Sequence, residues 1–282
     1  MDKGILKKFD QAIEKHPELA EILQFHRDIL KEQIKVANKQ PEPDWTVTEK
    51  EAESQLLKQE PLVKKWPVAV DVEQFQALFT KLAEILKTHR PETEAELDLM
   101  LSGLVKDDYE KIIRSFVTED DGAIVERAKA LNVNERLFSF LVRNALRPFY
   151  IAYAEVMRHL VKEHAWADPY CPVCGAPGRI GKLDGEGGKR SLYCSLCDTV
   201  WKYKRLECPY CGSGHEQVRY LQIEDSQYQI DVCEKCKGYI KVLDARELTS
   251  EPYMLLEDLL TMELDLLAQK EGYTQDPELV NQ

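Results

Sequence analysis

No run of eighteen apolar residues occurs in the 282-residue chain, which excludes a hydrophobic membrane span. The opening MDKGILKKFDQAIEKHPEL scatters charges where a secretory leader needs an unbroken apolar stretch, so no signal peptide is read there and the cytoplasm is the expected location. Basic charge is in short supply: 38 Lys and Arg stand against 50 Asp and Glu, a formal net charge of −12. Such a balance argues against a phosphate-backbone binder, and no nucleic-acid partner is expected. A glycine-rich phosphate loop, a Ser-His-Asp arrangement and a carboxylate pair with an evident task are all missing, so the chain is not read as an enzyme. Cysteine is absent before position 171 and after position 236.

Between those positions lie eight cysteines, all in Cys-x-x-Cys pairs: Cys171/Cys174, Cys194/Cys197, Cys208/Cys211 and Cys233/Cys236. Two residues between thiols let both sulfurs of a tight turn point at one tetrahedral ion. In a reducing compartment this usage points to metal ligands or redox groups, not to structural disulfides. Nineteen residues separate the first pair from the second and twenty-one the third from the fourth, about one hairpin and its loop. The stretch also repeats itself: CPVCG at 171–175 returns as CPYCG at 208–212, and CSLCDTVWKY at 194–203 as CEKCKGYIKV at 233–242. The repeat groups Cys171, Cys174, Cys194 and Cys197 into one site and Cys208, Cys211, Cys233 and Cys236 into another. A competing arrangement joins Cys194/Cys197 to Cys208/Cys211, only ten residues apart, and leaves the outer pairs to meet each other. Gly175 and Gly212 follow the second cysteine of their turns, where a positive φ is useful; Asp198 and Lys237 occupy the same place in the other two, which are expected to be less regular.

Four thiolates suit zinc and a single iron equally, so two metal ions, zinc or iron, are the expected cofactors. A closed four-sulfur shell has no open position for hydrolytic chemistry. Two readings of it stand: folding staples, or sites that report on redox conditions by losing metal or changing oxidation state.

Outside the cysteines the fold class is α with a small β part. Residues 1–165 read as an all-α domain, 166–249 as tandem four-cysteine ribbons, and 250–282 as a C-terminal helix followed by a tail that frays from Tyr273. Thr48 with Glu51, and Asp71, are candidate helix caps. Pro148 removes a backbone donor inside an apolar helix that begins near Glu135, so a kink or break is expected there. The wide leucine face of the C-terminal helix is expected to pack back on the N-terminal helices or on a partner chain, which allows a homodimer. Weaker candidates are His159, His164 and His215 as metal ligands and Arg143 with Arg147 as an anion grip. Lys202, Lys204 and Arg205 beside Trp201 and Tyr203 read as a solvated edge in preference to a nucleic-acid face.

The runs NALRPFYIAYA (144–154), YCPVCGAPG (170–178), LYCSLCDTVWKYKRLECPYCGS (192–213), IED (223–225), VCEKCKGYIKVLD (232–244) and LDLLAQKEGY (264–273) resemble the formate dehydrogenase accessory protein family, FdhE. The resemblance implies a helical domain joined to two rubredoxin-like ribbons that bind iron or zinc through the eight cysteines. It implies no catalytic residue. It also implies a cytoplasmic maturation factor that binds the catalytic subunit of a molybdenum or tungsten formate dehydrogenase. The non-glycine Asp198 and the divergent N-terminal half depart from the family pattern.

Overall fold

Helical periodicity in the first half of the chain is realised, among the described residues, as eight α-helices: α1 Lys3–Lys15, α2 Ala20–Ala37, α3 Glu49–Leu56, α4 Val72–His89, α5 Glu94–Gly103, α6 Lys106–Val117, α7 Gly122–Leu131 and α8 Glu135–Met157. The structure, a computed structural model, describes residues 3–43, 45–118, 122–223 and 226–275. Local chemistry sets two of the starts. Thr48 and Glu51 form a reciprocal capping box on α3, and the Asp71 carboxylate accepts the Gln74 N–H at 2.8 Å on α4.

The chain divides into two units, residues 1–46 with 66–156, and 47–65 with 157–282. This differs from the boundaries expected from sequence, because α3 and the turn after it join the cysteine region. The first unit is helical, and its core includes Phe75, Phe79, Tyr109 and Phe138, whose rings meet edge to face or tilted at centroid distances of 5.8–6.1 Å.

Helix α8 passes through Pro148 without the expected break. The carbonyl that loses its donor to Pro148 is that of Asn144, and it is supplied from outside the helix: Gln33 Nε2 donates to Asn144 O at 2.8 Å. Gln33 is buried on α2 and also accepts from Arg147 Nη1 at 3.1 Å through Oε1. A tertiary donor replaces the missing helical one.

Among the described residues of the second unit six strands form one continuous sheet: β1 Ile180–Asp184, β2 Lys189–Tyr193, β3 Val200–Lys202, β4 Val218–Gln222, β5 Tyr228–Cys233 and β6 Tyr239–Asp244. The spatial order is β3-β2-β1-β6-β5-β4. Each ribbon contributes three antiparallel strands, and β1 and β6 run parallel where the ribbons meet, Ile180 opposite Lys241 and Leu183 opposite Asp244. The repeat is visible in the register. Shifting the pairing Ile180↔Tyr193 by thirty-nine residues gives Arg219↔Val232, and shifting Leu192↔Trp201 gives Asp231↔Ile240. The ribbons are therefore joined head to tail, as a translation within one sheet.

The C-terminal segment packs on this sheet. It is two helices, α9 Met254–Leu260 and α10 Met262–Lys270, not the single helix expected from Ser250. Leu264 and Ala268 cover Ile230, Val232 and Tyr239, while Met254 covers Ile180, Tyr193 and Leu243. These alternating sheet residues give the leucine face its partner within the same unit. Lys241, fully buried on the same sheet face, is bound where α9 gives way to α10: Nζ donates to Asp258 O at 2.8 Å and lies 2.6 Å from Asp265 Oδ2. A cation at the C-terminal end of α9 and the N-terminal end of α10 satisfies both the carbonyls and the acid there.

The opposite face carries the linker between the ribbons. With β3 and β4 at opposite edges, the chain must cross the sheet after Tyr203. Arg190 receives it: its guanidinium donates to Lys204 O and Glu207 O, lies 5.3 Å from the Tyr203 ring centroid and pairs with the buried Asp231 at 3.2 Å.

Candidate metal centres

Each Cys-x-x-Cys turn has the same backbone construction. The N–H of the residue after the second cysteine donates to the carbonyl of the first: Gly175 to Cys171 at 2.8 Å, Asp198 to Cys194 at 2.9 Å, Gly212 to Cys208 at 3.0 Å and Lys237 to Cys233 at 2.9 Å. The first cysteine of each turn donates in return, to Ala176 O, Thr199 O, Ser213 O and Gly238 O at 2.8–2.9 Å. Closing this ring requires a left-handed residue, and φ is 78° at Gly175, 58° at Asp198, 68° at Gly212 and 58° at Lys237. The four turns are equally regular, contrary to the expectation for the two without glycine.

Side-chain contacts offset the strain of about 1 kcal/mol at the non-glycine positions. The Asp198 carboxylate accepts the Tyr193 and Tyr253 hydroxyls. Lys237 bonds Glu234 at 2.6 Å and lies over the Tyr273 ring. Tyr273 reaches that place because α10 ends in a Schellman turn: Gly272, at φ 86°, and Tyr273 donate to Gln269 O and Ala268 O. Thr274 then pairs with the turn, donating to Lys237 O at 2.8 Å and accepting from Tyr239 N at 2.9 Å. The end of the helix is thus strapped to the fourth turn, where fraying from Tyr273 was expected; 276–282, the rest of that tail, lie outside the described residues, as do Glu224 and Asp225 of the IED run.

The turns bring together Cys171, Cys174, Cys194 and Cys197 in one cluster and Cys208, Cys211, Cys233 and Cys236 in a second, with all sulfurs of a cluster within 4.8 Å of one another. This is the grouping that the repeat indicates; the arrangement across the ten-residue gap does not form. Sulfur separations are 3.5 Å for Cys171–Cys197 and Cys174–Cys194, 3.6 Å for Cys208–Cys236 and 3.7 Å for Cys211–Cys233. Metal–sulfur bonds of about 2.3 Å to a tetrahedral ion require edges of about 3.8 Å, whereas a disulfide brings sulfurs to about 2.05 Å. None of the eight cysteines is in a disulfide. The donor chemistry and spacing therefore fit one tetrahedral metal ion per cluster.

Electrostatics point the same way. Burial pushes the Cys174 and Cys197 thiols well above the ordinary range, and the neighbouring thiols add to it. Burial likewise raises Cys208, and takes Cys236 up to about 11. At Cys211 burial also acts upward, but hydrogen bonds from the Ser213 side chain and backbone and from the facing thiols outweigh it and bring the group to about 7. Four thiolates cannot share such a space without a cation to neutralise them. The Thr199 and Ser213 hydroxyls, 3.1 and 3.2 Å from Cys197 and Cys211 Sγ, are placed to donate to thiolates, as are the Tyr210 and Gly238 N–H groups, both 3.4 Å from a sulfur.

The two centres differ in cover. All four cysteines of the first are buried. Its first turn is overlaid by the segment after α3, where Leu62 and Val63 donate to Pro172 O and Val173 O at 2.9 and 3.0 Å. In the second, Cys211 is partly exposed.

The weaker candidates resolve separately. His164 bonds Glu53 at 2.6 Å, and among the described residues neither it nor His159 or His215 belongs to a metal-capable cluster. Arg147 is buried and donates to Gln33 Oε1 at 3.1 Å. Lys202 and Lys204 pair with Asp184 and Glu207, and Arg205 donates to Gly187 O. Trp201 is buried over its ribbon, with Nε1 donating to Asp168 O at 3.2 Å. Sequence reasoning missed Arg190, Asp231 and Lys241, the side chains that fasten the ribbons to the linker and the helices. One signal was available for Lys241, a charge at an inward position of the alternating YIKVLD.

Comparison with known proteins follows this division of the chain. Residues 170–205 match the profile "FdhE, central domain" and residues 206–279 match "FdhE, C-terminal domain". The second profile takes in β4–β6 together with α9 and α10, the elements packed on one another here. An FdhE homolog of Aquifex aeolicus is 28% identical over 266 residues, covering 92% of this chain and 88% of that protein. One of Stutzerimonas stutzeri is 41% identical over 116 residues, 39% of this chain and 37% of that protein. The crystal structure of the FdhE protein from Pseudomonas aeruginosa superposes with a TM-score of 0.61 at 20% identity, over 95% of this chain and 90% of that one, which shows a shared fold. The cysteine region and the helices after it thus match FdhE domains, and the chain as a whole is similar to FdhE proteins in sequence and fold.

Proposed function

We propose that this protein is a non-catalytic assembly factor, which binds the catalytic subunit of a molybdenum or tungsten formate dehydrogenase in the cytoplasm during its maturation. The observation that carries the reading is the closure of both centres in a chain similar to FdhE proteins: four sulfurs at tetrahedral spacing use every coordination position, leaving none for a substrate. Partner recognition then falls to the surfaces that the centres hold in shape. Deletion of the gene is expected to abolish formate dehydrogenase activity while the catalytic subunit is still made, and the tagged protein is expected to capture that subunit. Normal activity in the deletion strain would end the reading.

Within this reading the clusters are two rubredoxin-like sites with one zinc or iron ion each. A redox reading, an iron centre that senses or carries electrons, is favoured by one feature: the partly exposed second centre, with N–H groups directed at Cys208 and Cys236. Exposure and N–H···S bonds are the levers that tune an iron–thiolate potential. Anaerobic purification with metal analysis and a visible spectrum separates the two. Colourless protein with two zinc ions would remove the redox reading.

A further inference from the structure

The head-to-tail repeat leaves each end strand without a neighbour that its counterpart has, β3 relative to β6 and β4 relative to β1. In the first ribbon β1 is paired on both sides, with β2 on one and β6, running parallel, on the other. The thirty-nine-residue register shift carries Ile180–Leu183 of β1 onto Arg219–Gln222 of β4. Yet β4 is last in the sheet, and no strand among the described residues lies on its outer side.

The phase of the exposed groups follows from one bond. Glu234 N donates to Gln217 O at 2.8 Å, so in the alternating antiparallel ladder Gln217, Arg219 and Leu221 bond toward β5. The N–H and C=O groups of Val218, Tyr220 and Gln222 point outward, and the equivalent carbonyl in β1, that of Leu183, accepts Ala245 N at 2.9 Å.

Edge strands are usually guarded by shortness, proline or lysine. The other edge, β3, is guarded in this way, with only three residues and a paired Lys202. β4 has five residues, VRYLQ, with neither proline nor lysine, and four of them are exposed. Tyr220 and Leu221, on opposite faces of the strand, are 38% and 42% accessible.

We propose that the outer edge of β4 receives an extended segment of the client polypeptide, which adds to the sheet as a seventh strand parallel to β4. Its main chain pairs with Val218, Tyr220 and Gln222, and apolar side chains of the segment lie beside Tyr220 on one face and Leu221 on the other. This rests on the assembly-factor reading. A second copy of this chain offers a poorer occupant: the repeat equivalent of β6 is β3, whose three residues support a short ladder, and the association would be head to tail and would not close.

The test uses the full-length protein, metal-loaded, with the formate dehydrogenase catalytic subunit. Hydrogen exchange of peptides covering 218–222 is expected to slow at least tenfold on client binding. Tyr220→Pro removes an outward donor without touching the ladder to β5. Its capture of client is expected to fall at least tenfold at unchanged metal content and circular dichroism. Should that variant lose metal, Leu221→Lys serves in its place. Client capture with 218–222 exchanging as before, or undiminished capture by the variants, would overturn the edge proposal and leave the assembly reading intact. No capture by the wild-type protein would overturn both. Protection that appears without client and grows with protein concentration would assign the edge to a second copy and overturn the proposal.

Discussion

Replacing one ligand, Cys171→Ala, should unfold the whole second unit and spare the first. The ion in a four-thiolate site supplies roughly 10–16 kcal/mol of folding free energy, as much as or more than the roughly 5–15 kcal/mol by which a whole domain is stable. Nothing else in the second unit can replace that. The damage also cannot stay in the first ribbon. β1 lies inside the sheet and its parallel pairing with β6 holds the second ribbon, while Arg190 of β2 fixes both the linker and Asp231 of β5. Of 128 α-helical residues, 24 lie in α3, α9 and α10 of this unit. The helical signal at 222 nm should therefore fall by about a fifth, with loss of both metal ions. A fall near zero with one ion retained would show that the ribbons fold independently and that the shared sheet transmits nothing. A loss of more than half the signal would show that the first unit depends on the second.

Gln33→Leu should destabilise the first unit by about 2 kcal/mol, because it leaves the part-buried Asn144 carbonyl without a donor; adding Pro148→Ala, which restores the helical N–H, should recover most of this in denaturant titrations. His26 is lowered from 6.5 to about 4, by burial first and then by the charge of Arg147. Because the folded state favours the neutral ring, stability should decline as pH falls through 6.5 and level off below about 4, by a total of about 3 kcal/mol; a nuclear magnetic resonance titration of His26 centred near 6.5 would refute this. Lys241→Met leaves Asp265 Oδ2 and the Asp258 carbonyl without their cation at the α9–α10 junction, while Tyr239 still donates to Asp265 Oδ1, and should lower the stability of the second unit by about 3 kcal/mol; a change under about 1 kcal/mol in thermal unfolding followed by metal release would count against that role.

Legibility in the sequence followed the range of the interaction. The grouping of the cysteines could be read because a tetrahedral ion and a tight turn impose their geometry over two or three residues, and the repeat extended that rule to the pairing. The caps at Thr48 and Asp71 are equally local. Joining of the ribbons was not legible, since Ile180 and Lys241 meet through strand edges whose backbone groups are the same for any sequence. The regular turns at Asp198 and Lys237 depend on tyrosines far along the chain, Tyr253 and Tyr273, that accommodate a conformation glycine would adopt unaided. Pro148 reads as a break unless Gln33 is known to be opposite Asn144. The same holds for 47–65: its attachment to the first cysteine turn runs through backbone donors at Leu62 and Val63, which leave no mark on composition.

The unequal cover of the two centres gives them unequal tasks. The first is sealed by the segment after α3, whose Leu62 and Val63 donate to the first cysteine turn, so an ion held there would be shielded from solvent. The second is partly open, and its sulfurs pack directly on the start of β4: Val218 lies against Cys208, Cys233 and Cys236, and stands opposite Cys233 in the ladder. An ion in the second centre would thus support β4, the longer and less guarded of the two edge strands. Any event that removes or alters that ion, oxidation at the partly exposed Cys211 included, acts first on β4 and on whatever is paired with it. If a segment adds to β4 as proposed, linkage makes the effect reciprocal: it should slow the loss of metal from a loaded second centre and leave that from the first unchanged.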